Sequence, residues 1–182
     1  YTESHSIRVA KYASFIASEL NYPKSFIEDI WVAGLLHDIG KIGISDSILN
    51  KPGALTKEEY DIIKQHPDIA YRIVSKIGLR ENVLKAIKHH HERCDGKGYP
   101  DMIKDGEIPI MASIISVADA FDAITSNRPY RKSRSMKQGI EEIVMHRGTQ
   151  FDSTVAETLE KAFLTKQDIL KKIYNDEEIE FF

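Results

Sequence analysis

The stretch Leu35-Leu36-His37-Asp38-Ile39-Gly40-Lys41 constrains this chain more than any other. An imidazole and a carboxylate adjoin at the end of an apolar run, with a lysine close behind. Such groups are costly to bury unless they are paired or hold a cation. A neighbouring histidine and aspartate can bind one metal and bridge to a second. The fold therefore has to bring further ligands to this point from elsewhere in the chain.

Periodicity supplies them on helices. His5, Val9, Ala13, Ile16 and Leu20 share one helical face, so residues 4–20 read as a helix with His5 turned inward. After Asn21-Tyr22-Pro23 a second helix is expected over 24–41. Its stripe of Ile30, Gly34, His37 and Lys41 places His37 and Lys41 one turn apart. Residues 42–55 read as a loop, and Thr56 with Glu59 as a capping box opening a third helix. The residue before a proline avoids helical geometry, while proline suits a first helical turn, so His66-Pro67 marks a helix end or kink. Another helix is expected over about 68–76.

A helix over 80–91 ends in His89-His90-His91. Its apolar residues align with His90 and His91, while His89 falls on the polar side. In the loop Asp95-Gly96-Lys97-Gly98-Tyr99-Pro100, both glycines permit positive φ and close backbone approach. Residues 109–126 form the most apolar helix, with Ile115, Asp119, Asp122 and Ser126 along one side. Helices over 135–147, 152–163 and 165–175 follow, the last one polar. No strand pattern is visible, so the fold class is all-α.

Composition sets the outer limits. A net charge of −3 argues against a general DNA binder. No run approaches the roughly 18 apolar residues of a membrane span, and no signal peptide is visible. The single cysteine, Cys94, forms no internal disulfide and reads as structural, which makes a reducing cytoplasm the expected location.

The candidate metal ligands are His5, His37, Asp38, His66, His90, His91 and Asp119. Imidazoles and carboxylates without thiolate suit Fe or Mn, with Zn, Ni, Co and Mg in range. Seven ligands exceed one tetrahedral site and fit two divalent ions, with Asp38 as the bridge. Lys41 shares a face with His37 and is expected to meet a phosphate. Arg128 and Arg131, in the basic turn after the Asp119 helix, match phosphate oxygens with their forked donors. Asp122 is expected to orient a ligand from behind.

These segments resemble the HD-GYP branch of the HD phosphohydrolase superfamily. The resemblance runs through His37-Asp38-Ile39-Gly40-Lys41-Ile42-Gly43-Ile44, Lys51-Pro52-Gly53, His90-His91-Glu92 and Asp95-Gly96-Lys97-Gly98-Tyr99-Pro100. It continues in Val117-Ala118-Asp119-Ala120-Phe121-Asp122-Ala123, Arg128-Pro129-Tyr130 and Gly148-Thr149-Gln150-Phe151-Asp152, covering about residues 2–160. It implies a helical bundle of about seven to nine helices, with a catalytic domain over 1–163 and an acidic helical extension over 164–182. It implies a phosphodiesterase that opens cyclic di-GMP to the linear dinucleotide and onward to GMP, with a hydroxide bridging the metals as nucleophile.

Asp38 and Lys41 would serve catalysis, and Lys41, Arg128, Arg131 and Tyr99 would meet substrate. The Tyr99 loop is also linked to docking of diguanylate cyclase (GGDEF) partners. Cyclic GMP-AMP, a mononucleotide, or a domain that only binds ligand are the alternatives. Three-metal members tend to carry a glutamate where this chain has Tyr1, and Glu3 is two residues away, so two metals are expected. Ser45, Cys94 and Ser113 depart from the usual residues without removing a ligand.

Overall fold

The computed structural model describes residues 2–126, 133–177 and 179. The expectations for Tyr1, Arg128 and Arg131 lie outside the described residues, and the side chain of Glu3 is likewise undescribed. Among the described residues there are nine α-helices of seven residues or more, one single-turn helix and one 3₁₀ turn, with no strand. In chain order they are α1 (Thr2–Glu19), α2 (Lys24–Leu36), the 3₁₀ turn (Ile39–Gly43), α3 (Asp46–Leu49), α4 (Lys57–Ile63) and α5 (His66–Val74). Then follow α6 (Glu81–His89), α7 (Ile110–Thr125), α8 (Met136–Met145), α9 (Ser153–Thr165) and α10 (Gln167–Tyr174).

Helix α7 lies at the centre. It buries Ile114, Ile115, Val117, Ala118 and Phe121 completely, as expected for a helix apolar nearly all round. Helices α1, α2, α6, α8 and α9 pack around it. The Tyr12 ring meets Phe121 edge-on at 5.1 Å, joining α1 to α7. Helix α10 closes the bundle against α1 and α9 and buries Leu170 and Ile173 in the same core.

Local chemistry sets most helix ends. The Thr56–Glu59 capping box opens α4, and Ser135 with Gln138 forms a second one at α8. Asp152 caps α9 through the Val155 N–H.

One helix departs from expectation. Helix α2 ends at Leu36 rather than continuing to Lys41, and Ile39–Gly43 tighten into the 3₁₀ turn. The cause is tertiary. The turn is pressed against the start of α5, and a Cβ on Gly40 would lie 1.9 Å from the His66 carbonyl oxygen and 2.6 Å from the Ala70 nitrogen. Only glycine admits that approach. Gly40→Ala is expected to destabilise the fold by roughly 2–4 kcal/mol and to displace His66. Denaturant melts measure the first effect and metal titration the second. A second departure is α3, a single turn inside the expected loop, capped by Ser45.

Candidate metal centre

Three of the candidate histidines sit at helix ends, and their second ring nitrogens explain why. The last carbonyls of a helix lack intrahelical partners. His37 Nδ1 bonds the Gly34 carbonyl at 2.7 Å at the end of α2, and His90 Nδ1 bonds that of Ile87 at 2.7 Å at the end of α6. His66 Nδ1 bonds the Ile63 carbonyl at 2.8 Å just past α4. Four residues after Ile63 stands Pro67, which has no N–H to offer that carbonyl. A ring nitrogen bonded to a carbonyl must carry the proton, so each ring presents the lone pair of Nε2 inward.

Those lone pairs converge. His66 Nε2 lies 3.4 Å from His90 Nε2 and 3.4 Å from Asp38 Oδ1. On the other side, His37 Nε2 is 3.5 Å and His5 Nε2 3.7 Å from Asp38 Oδ2. His5 Nε2 also lies 3.3 Å from Asp119 Oδ1. The donor atoms fall into two sets, Asp38 with His66, His90 and His91, and His5 with His37 and Asp119. Within each set all donors lie within 4.8 Å of one another. Asp38 thus turns one oxygen to each set. Its backbone, at φ −96° and ψ 2°, has left the helix and taken the bridge conformation common at functional sites.

His5, His37, Asp38, His66 and His90 are buried, while His91 and Asp119 are partly exposed and form the open side. Tyr99 lies at this mouth, its ring 4.8 Å from that of His91 and 6.3 Å from that of His66. Gly98 lets the loop reach this position, since a Cβ there would lie 2.5 Å from the Glu92 Cα and Arg93 nitrogen. Glu92 is buried and accepts the Asp101 N–H at 2.7 Å, closing the loop that carries Tyr99. His89 turns away and pairs with Asp101 at 3.0 Å.

The electrostatics divide the imidazoles. Burial among other imidazoles holds His66 and His90 below the ordinary histidine range and brings His91 down to about 3, so these rings are neutral at pH 7. Burial also opposes the charge on His5, but Asp119 and Asp122 outweigh it and raise His5 to about 9. Burial disfavours the Asp38 carboxylate too, yet His37 and Lys41 keep it ionised well below the usual range. Lys41 Nζ donates to Asp38 Oδ2, so the lysine meets the aspartate from the 3₁₀ turn rather than sharing a helical stripe with His37.

The donor set fits a metal centre. His37 Nε2 and Asp38 Oδ1 are buried and have no hydrogen-bond partner among the described residues. An orphaned buried acceptor costs about 1–3 kcal/mol, and cations between the two sets would satisfy both atoms.

The fold and the site lead to one family. The model described as "HD domain" matches residues 2–155. The chain belongs to the HD domain family. Its relatives agree with the HD-GYP resemblance drawn from the motifs. Over 181 residues it is 40% identical to a protein of Thermotoga maritima named cyclic di-GMP phosphodiesterase, covering 98% of this chain and 48% of that protein. Over 164 residues it is 37% identical to 3'3'-cGAMP-specific phosphodiesterase 3 of Vibrio cholerae, covering 89% of this chain and 35% of that protein. The chain therefore spans less than half the length of these relatives. Among solved structures, Bd1817, an HDG"Y"P protein from Bdellovibrio bacteriovorus, superposes with a TM-score of 0.74 at 18% identity, covering 90% of this chain and 53% of that one.

Asp122 and Arg8 complete the site from behind. Asp122 Oδ2 accepts His5 Nδ1–H at 2.7 Å. Arg8 Nε donates to Asp122 Oδ1 at 2.6 Å. Sequence reading singled out Asp122 and missed Arg8. The available signal was its place one turn beyond His5 on the same helix. No helix among the described residues is long and apolar enough to cross a membrane.

Proposed function

We propose that this domain is a two-metal phosphodiesterase that hydrolyses cyclic di-GMP to the linear dinucleotide and onward to GMP. The observation that carries the reading is Asp38, whose two oxygens face two separate sets of inward imidazoles. His5, His37 and Asp119 would hold one cation, and His66, His90 and His91 the other, with Asp38 shared. Fe or Mn suits these donors best. When bound, the two cations would supply Lewis-acid charge and acidify a water at neutral pH.

This chain's own groups do the rest. Lys41, which donates to Asp38, would supply an ammonium for a phosphoryl oxygen. Arg128 and Arg131 carry forked donors of the kind that bind phosphate, and the role of holding the phosphates is assigned to them from the sequence. Tyr99, whose phenol burial keeps protonated, donates to substrate at the mouth. Asp122 holds the Nδ1 proton of His5, which keeps Nε2 free for the metal.

The catalytic unit is assigned to residues 1–163, with 164–182 as an extension whose helix α10 packs into the same core. The loop around Tyr99 borders a groove of about 440 Å³ that also includes Tyr60, Lys64 and Met102, and a diguanylate cyclase domain would dock on this side. The substrate and the lone thiol both suit a cytoplasmic setting.

Cyclic GMP-AMP is the second reading, favoured by the likeness to the Vibrio cholerae protein. Purified protein loaded with Mn²⁺ and offered both cyclic dinucleotides in competition is expected to consume cyclic di-GMP first. Preferential loss of cyclic GMP-AMP would move the assignment to the second reading.

A further inference from the structure

Arg8 is partly buried behind Asp122, and the hydrogen bonds of its guanidinium reach none of the seven candidate ligands. Its Nε donates to Asp122 Oδ1 at 2.6 Å, and its Nη2 donates to Asp122 Oδ2 at 3.1 Å and to Ser126 Oγ at 3.1 Å. Ser126 Oγ donates back to Asp122 Oδ1 at 3.1 Å. The other partner of Oδ2 is His5 Nδ1 at 2.7 Å. Every lone-pair direction of this nearly fully buried carboxylate is therefore engaged, and its orientation is set by a forked, two-point contact.

From this geometry we infer that Arg8 is a positioning residue for one metal only, acting through Asp122 on His5. The inference rests on the two-metal reading above. With a cation on Nε2 the His5 ring is neutral and gives Asp122 only a neutral N–H. Among the described residues Arg8 would then be the one cation hydrogen-bonded to the buried carboxylate, which without it would turn. That turn would release His5 Nδ1–H and with it the direction of Nε2. The other cation would be held by His66, His90 and His91, whose hydrogen bonds and ring contacts among the described residues do not involve Asp122. Loss of Arg8 should therefore divide the two metals.

The test is Mn²⁺ titration of the whole chain, followed by the electron paramagnetic resonance signal of the free ion, with circular dichroism as the check on folding. Wild type is expected to take up two Mn²⁺. In Arg8→Ala one of the two should weaken by about 10- to 100-fold, the usual effect of removing an outer partner, while the other keeps its affinity. Arg8→Lys, which keeps the charge but loses the fork, should fall between the two. Retention of both sites at wild-type affinity in Arg8→Ala, or equal weakening of both, would overturn the inference. If Arg8→Ala does not fold, Arg8→Lys decides by the same split, and equal effects on both sites overturn it. Failure of the two-metal reading shows separately, as a wild-type protein that binds fewer than two ions.

Discussion

Asp38→Ala is expected to lose both metals and to reduce cyclic di-GMP cleavage by at least about 10³-fold, since the charge acting on the phosphoryl group leaves with the cations. The size of the effect follows from the two-sided position of the residue. Its Oδ1 faces His66 and its Oδ2 faces His37 and His5, so one substitution opens both sets. Thermal melts provide a readout independent of turnover. A ligand at about 100 to 1,000 times its dissociation constant stabilises the native state by about 3–4 kcal/mol, worth roughly 10 °C for a chain of this size. Wild type should gain that increment on adding Mn²⁺, and Asp38→Ala should gain almost none. A variant that lost the increment but retained turnover would separate metal from catalysis and refute the proposed role.

Metal affinity is expected to rise by up to about tenfold per pH unit between pH 7 and 9. The proton responsible is on His5, raised from 6.5 to about 9 chiefly because Asp119 and Asp122 outweigh its burial. A cation entering at Nε2 must displace that proton, so uptake at pH 7 releases about one proton from His5, besides any lost by a bound water. His66, His90 and His91 are already neutral there and contribute none. The sign for stability follows. A raised histidine stabilises the metal-free fold fully below its unfolded value of 6.5, and this contribution fades as pH climbs toward 9. The metal-loaded protein has no such proton to lose. The stabilisation conferred by Mn²⁺ should therefore grow between pH 6.5 and 9. Calorimetric titration in buffers of different ionisation enthalpy counts the proton directly. A pH-independent affinity over this window would place His5 outside the metal's reach.

Much of this site was legible because helical periodicity is a statement about direction. His5 on the Val9–Ala13–Ile16 face had to point into the core, and the structure buries it. His90 aligned with Val83 and Ile87, and all three are buried. Periodicity failed where a tertiary contact overrode it. The stripe through Gly34, His37 and Lys41 continues smoothly in the sequence, but the crowding of Gly40 against His66 breaks the helix after Leu36. Lys41 meets Asp38, three residues before it, across that 3₁₀ turn. The use of His37, His66 and His90 as helix ends was half visible: Pro67 announced it at His66, and no such residue marks the other two. Arg8 was easy to pass over because an arginine on an amphipathic helix is usually solvated; its place one turn beyond His5 was the only hint, and Asp122, 114 residues away in sequence, gives it a role.

The most direct test of the central claim joins metal content and chemistry in one sample. The protein, purified without oxygen, is analysed for bound metals and assayed on cyclic di-GMP before and after chelation. Two divalent first-row ions per chain are predicted, with cleavage lost on chelation and restored by returning the metal. Cleavage that survives complete removal of metal would contradict the account.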